Sequence, residues 1–269
     1  MPVNARSRNR QGFVAGSLIG TLGGLIGLGG AEFRLPVLIG VFRLGTLEAV
    51  ILNKAMSLVV VTAALLFRSV TIAPAALGDH LDVMLNLLAG SLAGAWCAAG
   101  QAVTLPRRWL DRIILVLLIG LSLLMLLETR AGLHEAGTPL LEPGPLRLVT
   151  GVFAGFAIGV VAALLGVAGG ELLIPVIVLL YGLDIRLAGS LSLMVSLPTM
   201  MVGFARYTRA EAFSVLRQEM PLMGSMVLGS ILGAAVGALL LGRVPTDWLT
   251  GLLGIVLLVS ALRMFPHAR

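Results

Sequence analysis

Charge is scarce in this chain. Only 12% of its 269 residues are charged while 58% are hydrophobic, and the mean hydropathy is +1.03. A water-facing domain carries about a quarter charged residues, so a soluble globular reading is excluded. Cysteine is nearly absent: Cys97 stands alone, which rules out an intrachain disulfide and any CxxC metal site. It falls among small residues and is expected to pack inertly. The three histidines, His80, His134 and His267, lie near ends or loops, and no HExxH, GxSxG or GxxxxGK[ST] occurs. Neither an enzyme nor an ATP-driven pump in this chain is expected, and neither is a cofactor or metal. Lysine occurs once, as Lys54, so the net charge of +6 comes from arginines. They are dispersed, and aromatics are only 5%. Topology-setting loop arginines explain this better than a nucleic-acid surface.

What is present is apolar residues in long blocks, near 12–28, 46–67, 80–101, 109–128, 146–166, 183–205, 216–241 and 246–264, with short ones at 33–44 and 171–182. The long blocks approach the length that spans a bilayer core as helix. Continuous apolarity without alternation selects helices. The fold class is therefore an all-α polytopic membrane protein. The start, MPVNARSRNR before apolar residues, imitates a signal peptide. The segment from Gly12 has an internal counterpart, however, and reads as part of the fold.

Shifting the chain by 139 residues lays Gly12 on Gly151 and gives ten identities over the 25 positions 12–36. They include Gly20 with Gly159, Gly27 with Gly166, Gly30 with Gly169, Glu32 with Glu171 and Pro36 with Pro175. The same offset pairs Ser57-Leu58 with Ser196-Leu197, Gly90 and Gly94 with Gly229 and Gly233, and Trp109 with Trp248. Chance apolar matching does not align Gly, Glu, Pro and Trp in one register. The expected organisation is a tail at 1–11, a first repeat at 12–128, a polar linker at 129–145 and a second repeat at 146–266.

Duplication of this kind marks many secondary transporters. An odd number of crossings per half makes the repeats inverted, an even number parallel, so the count is eight or ten. Matching loops carry opposite arginine bias. Arg107, Arg108 and Arg112 face a single Arg243, whereas Arg68 alone faces Arg206, Arg209 and Arg217. That favours inverted repeats with both termini cytoplasmic.

The stretches 27-GLGGAEFRLP-36 and 166-GVAGGELLIP-175 read as helix breaks. Glycine is costly within a helix and proline suits the first turn of a new one, so short helices are expected to restart near Leu35 and Ile174. Irregular backbone at membrane depth is tolerated only when buried in protein or lining a cavity. A helix start offers free amides and partial positive charge to an anion. Expected substrate contacts are Gly27, Gly29, Gly30, Ala31, Gly166, Gly169 and Gly170, with Pro36 and Pro175 setting the breaks. The other glycines, such as Gly12, Gly16, Gly20, Gly90 and Gly94, fit close helix packing.

Glu32 and Glu171 either take up a proton as an anion passes or bond nearby backbone amides and fix the loop. Arg34, which has Leu173 as its counterpart, is a coupling or gating candidate, or a partner for Glu32. Lys54 attracts an anion or snorkels outward, the latter being favoured. Asn53 and Ser57 lie beside it, and in the second half Ser192, Ser196 and Thr199 share a helix face. These hydroxyls either ligate an anion or bond back to their own helix. Pro198 is expected to kink that helix.

The duplicated motifs 24-GLIGLGGAEFRLP-36 and 163-ALLGVAGGELLIP-175, with Ala49 and Ala188 beside them, resemble the sulfite exporter TauE/SafE family. The resemblance implies a protein of the bacterial inner membrane that exports small sulfur-containing anions such as sulfite or sulfonates. Arg34 departs from the family's usual aliphatic pattern. The expected partners are a small anion and membrane lipid, and a homo-oligomer is compatible. A passive anion channel and a non-transporting scaffold are the competing readings.

Overall fold

Lipid offers no hydrogen bonds, so each apolar block has to satisfy its backbone within itself. The computed structural model describes residues 5–26, 30–71, 78–131, 139–183, 185–207 and 212–239, together with 255, 258, 259 and 262. Among these residues there are nine helices and no strand. They are α1 (Ala5–Ile26), α2 (Ala31–Gly40), α3 (Thr46–Thr71), α4 (Leu81–Thr104), α5 (Arg107–Ala131), α6 (Pro145–Leu165), α7 (Gly170–Tyr181), α8 (Ile185–Tyr207) and α9 (Ala212–Leu239). Five of them, α3, α4, α6, α8 and α9, are long and apolar enough to cross a membrane. The chain is a multi-pass membrane protein. The block expected at 246–264 falls almost entirely outside the described residues.

The two halves interlock. The first helix of each half lies along the third long helix of the other, α1 on α9 and α6 on α4. The further contacts α3–α9 and α4–α8, α2–α3 and α7–α8, and α1–α2 and α6–α7 also exchange when the halves are exchanged. Helices α3 and α8, which correspond to each other, touch directly.

Glycines allow the tightest of these crossings. A Cβ on Gly16 or Gly20 of α1 would overlap the carbonyl oxygens of Met226 and Ser230, and one on Gly155 or Gly159 of α6 those of Leu87 and Ser91. This is the packing that small residues permit between membrane helices. The register also fixes direction. Gly12, Gly16 and Gly20 face Leu222, Met226 and Ser230 in ascending order, so α1 and α9 run parallel. Gly90 and Gly94 face Val152 and Phe156, so α4 and α6 do the same. Ser91 meets Thr199, Ala95 approaches Gly203, and Trp96 meets Arg206, so α8 also runs parallel to α4. An ion pair, Arg8 to Glu219 at 3.1 Å, joins one end of the α1–α9 pair.

Three expectations are corrected. Helices α2 and α7 begin at Ala31 and Gly170, earlier than Leu35 and Ile174, so Pro36 and Pro175 stand inside them rather than in the first turn. The reason is the glycine before each. Gly30 (φ 68°) and Gly169 (φ 78°) take the left-handed conformation as N-caps, which lets helix resume at the next residue. Each proline then withholds the amide that the carbonyl four residues earlier would have accepted. Cys97 is exposed on α4 and not packed. Lys54 does not snorkel: it is 1% exposed, with its chain turned inward.

Candidate functional site

Helix α6 ends in a defined way. Gly166 is left-handed (φ 67°), its amide donates to the Ala163 carbonyl, and the Val167 amide donates to that of Ala162. This Schellman arrangement serves two of the last-turn carbonyls. The Leu165 carbonyl receives its bond from elsewhere, the side chain of Asn53 on α3. Helix α3 passes so near this break that a Cβ on Gly166 would overlap the Val50 carbonyl oxygen. On the far side of the break, the amides of Leu172 and Leu173 turn back to the Gly169 carbonyl and start α7.

Asn53 joins the two interruptions. Its amide nitrogen donates to Ala31 O at 3.0 Å, at the start of α2, and to Leu165 O at 3.3 Å, at the end of α6. Both acceptors are carbonyls, which fixes the amide's orientation. The Asn53 Oδ1 is buried and has no hydrogen-bond partner. One side chain of the first half therefore touches both helix breaks.

Around this junction lie charges fully withdrawn from the surface. Glu32 and Arg34, in the first turn of α2, are each 0% exposed. Arg34 donates from a terminal guanidinium nitrogen to Ser57 Oγ at 3.0 Å. Asn53 and Ser57 stand four residues apart and share the face of α3 that meets α2. The Lys54 ammonium lies against α8, 2.6 Å from where a Cβ on Gly203 would stand.

The second half differs. Ser192 Oγ donates to the Gly189 carbonyl, and Thr199 Oγ1 donates to that of Val195 while also meeting Ser91 across the helix crossing. Two of the three hydroxyls on this face are thus engaged with their own helix. Ser196 Oγ is buried with no hydrogen-bond partner. Gly27 and Gly29 lie outside the described residues, as does the Glu171 side chain. Gly203, the Leu165 carbonyl and the Ser91–Thr199 contact were not anticipated. The available signal for Gly203 was paired: the counterpart of Lys54 is Leu193, and that of Gly203 is Ala64.

An apolar groove of about 850 Å³ lies nearby, lined by Ala55, Leu58, Met220, Met223 and Arg217 among others. Its walls are too apolar to seat an anion. Among the described residues no group of His, Cys, Asp and Glu could hold a metal ion.

A family model described as sulfite exporter TauE/SafE matches residues 12–264, nearly the whole chain. No curated protein and no solved structure gives a significant match.

Proposed function

Since the chain belongs to the sulfite exporter TauE/SafE family, we propose that it is a secondary transporter that moves a small sulfur-containing anion, such as sulfite or an organosulfonate, out across the bacterial inner membrane. The observation that carries this reading is the Asn53 bridge. It ties the start of α2 to the end of α6, with Glu32, Arg34 and Lys54 buried around it. Interrupted helices meeting at depth are how many secondary carriers build a substrate site.

The repeats are inverted in this proposal. Support comes from helix direction. Both α6 and α8 run parallel to α4, so the intervening α7 has to carry the chain back across part of the bilayer. Helices α8 and α9 are consecutive spans and therefore oppose each other, while α9 runs parallel to α1. Helices α1 and α6 are then opposed, as are the halves they open. The first half makes four full passes and one short return, an odd count, and the termini share the cytoplasmic face, to which Arg6, Arg8 and Arg10 are suited.

Glu32 and Glu171 take a proton as the anion binds and lose it as the anion leaves, because a carboxylate next to an arriving anion favours its neutral form. The Gly-capped breaks, with Gly30, Ala31, Gly166, Gly169 and Gly170, form the passage between the two access states. Purified protein in liposomes tests this. An imposed pH gradient should drive sulfite or sulfonate uphill, and Glu32→Gln should abolish the coupling. Flux that only ever runs downhill would make the protein a channel. Flux at the level of empty liposomes would make it a scaffold.

A further inference from the structure

Helices α3, α8 and α9 leave between them the apolar groove of about 850 Å³. Ala55 and Leu58 come from α3, Phe204 from α8, and Met220 and Met223 from α9. All three helices are long and apolar enough to cross a membrane, and Met220 is 54% exposed. The open side of the groove therefore faces the bilayer. Helix α3 belongs to the first half and the other two to the second, so an occupant touches both. Ala55 lies two residues from Asn53, on the helix that joins the breaks.

Among the described residues of the lining, Arg217 is the one charge. It is exposed and, among the described residues, makes no ion pair. The acid two residues on, Glu219, is already matched by Arg8 at 3.1 Å, so the charge of Arg217 is not offset there. Its depth is also informative. The crossing stretch Ser214–Val236 has 23 residues, about 34 Å as helix against a hydrocarbon core of about 30 Å. Arg217 stands at the edge of that core, within a long side chain's reach of the lipid phosphates. Met223 lies six residues farther along α9, about 9 Å deeper.

We propose that this groove binds one anionic phospholipid of the surrounding bilayer, with an acyl chain along the α3–α8–α9 walls and the phosphate on Arg217. The walls alone cannot hold an anion, but they suit a hydrocarbon chain, and the methionines adapt to a flexible one. A volume of about 850 Å³ lies within the roughly 300–1,000 Å³ of ordinary small-molecule sites. Basic pockets between membrane helices suit anionic head groups. A zwitterionic head group brings its own cation toward Arg217 and gains less. This goes beyond the transporter reading and does not depend on it.

Native mass spectrometry of the detergent-purified protein, titrated with phosphatidylglycerol or phosphatidylcholine of the same chains, tests it. One phosphatidylglycerol per chain is expected, held at least about fivefold more tightly than phosphatidylcholine, which is what one arginine near a membrane surface is worth. Equal affinities would overturn the proposal. Arg217→Ala should bring phosphatidylglycerol to within about twofold of phosphatidylcholine, while Arg217→Lys keeps most of the preference; an unchanged preference in Arg217→Ala would overturn it. Should Arg217→Ala fail to fold, Arg217→Gln takes its place. Met220→Trp, which fills the groove and keeps the charge, should weaken both lipids, and phosphatidylglycerol bound as in wild type would show a surface contact without the groove. Glycerol phosphate, the head group without chains, should not displace the lipid, and displacement would overturn the proposal in the same way. A protein that is dimeric without lipid and monomeric as Met220→Trp would make this face an interface between copies of the chain, and overturn it too.

Discussion

Replacing Asn53 with alanine should loosen both helix breaks at once. The side chain makes two hydrogen bonds, 3.0 Å to Ala31 O and 3.3 Å to Leu165 O, in a position with no solvent exposure. The two acceptors differ in what remains to them. The Ala31 carbonyl opens α2 and keeps the amide four residues on as a helical partner. The Leu165 carbonyl lies in the last turn of α6, where the capping amides of Gly166 and Val167 go to Ala163 and Ala162 instead. A lost buried bond costs about 0.5–1.5 kcal/mol, and a stranded buried acceptor about 1–3 kcal/mol. One of each gives a destabilisation of about 2–4 kcal/mol. For a chain of this size, that lowers the unfolding temperature by roughly 5–12 °C. Asn53→Asp should be worse than alanine, because it sets a second oxygen against two carbonyl oxygens. The assay is thermal unfolding of the detergent-purified protein, with flux measured on the same preparations. An Asn53→Ala protein melting within about 2 °C of wild type and transporting normally would refute the bridge.

The remaining predictions concern three glycines. A Cβ on Gly233 would overlap the Ser17 carbonyl oxygen, whereas one on Gly224 in the same helix meets nothing within 4 Å. Gly233→Ala should therefore cost about 1–3 kcal/mol by forcing α1 and α9 apart, and Gly224→Ala should be neutral or stabilise by up to about 1 kcal/mol through helix propensity; paired melting curves check the contrast. Gly203→Ala places a methyl 2.6 Å from the Lys54 ammonium, the far end of a flexible side chain that can move aside. Its melting temperature should stay close to wild type, and a fall comparable with that of Gly233→Ala would show that the Lys54 side chain cannot give way.

Sequence alone carries the architecture well, because the constraint behind it is severe. Backbone in lipid has to be helical, so apolar block lengths translate almost directly into helices α1 to α9. The breaks are legible for a related reason. A glycine followed by an acid and a proline, repeated in register, has few uses inside a membrane. What was not legible is how the broken ends are completed. Nothing in the local sequence says that Asn53 reaches a carbonyl 112 positions away, because that contact exists only once α3 lies against α6. The short helices were placed late for a comparable reason. Proline's preference for a first turn is a weak tendency, and a left-handed glycine cap overrides it by starting the helix at once. Lys54 was judged by its distance from a helix end, but its surroundings come from α4 and α8, and only an empty position at Gly203 lets it stay inside.

The pattern of what the halves kept and what they changed has a physical logic. Gly16 with Gly155, Gly20 with Gly159 and Gly30 with Gly169 are the same in both halves. Most of these meet backbone of a neighbouring helix in a contact made twice over, so a side chain added to either copy would part the interlocked bundle. Arg34 and Lys54 stand under the opposite pressure. A buried cation is costly to desolvate and is tolerated when a partner or guest compensates it. A second pair at Leu173 and Leu193 would repeat that cost. In the transporter proposed above, the shared glycines give both halves equivalent contacts to move through, while the charged groups differ: Glu32 and Arg34 put an acid and a base in one turn of α2, where the second half has Glu171 and Leu173.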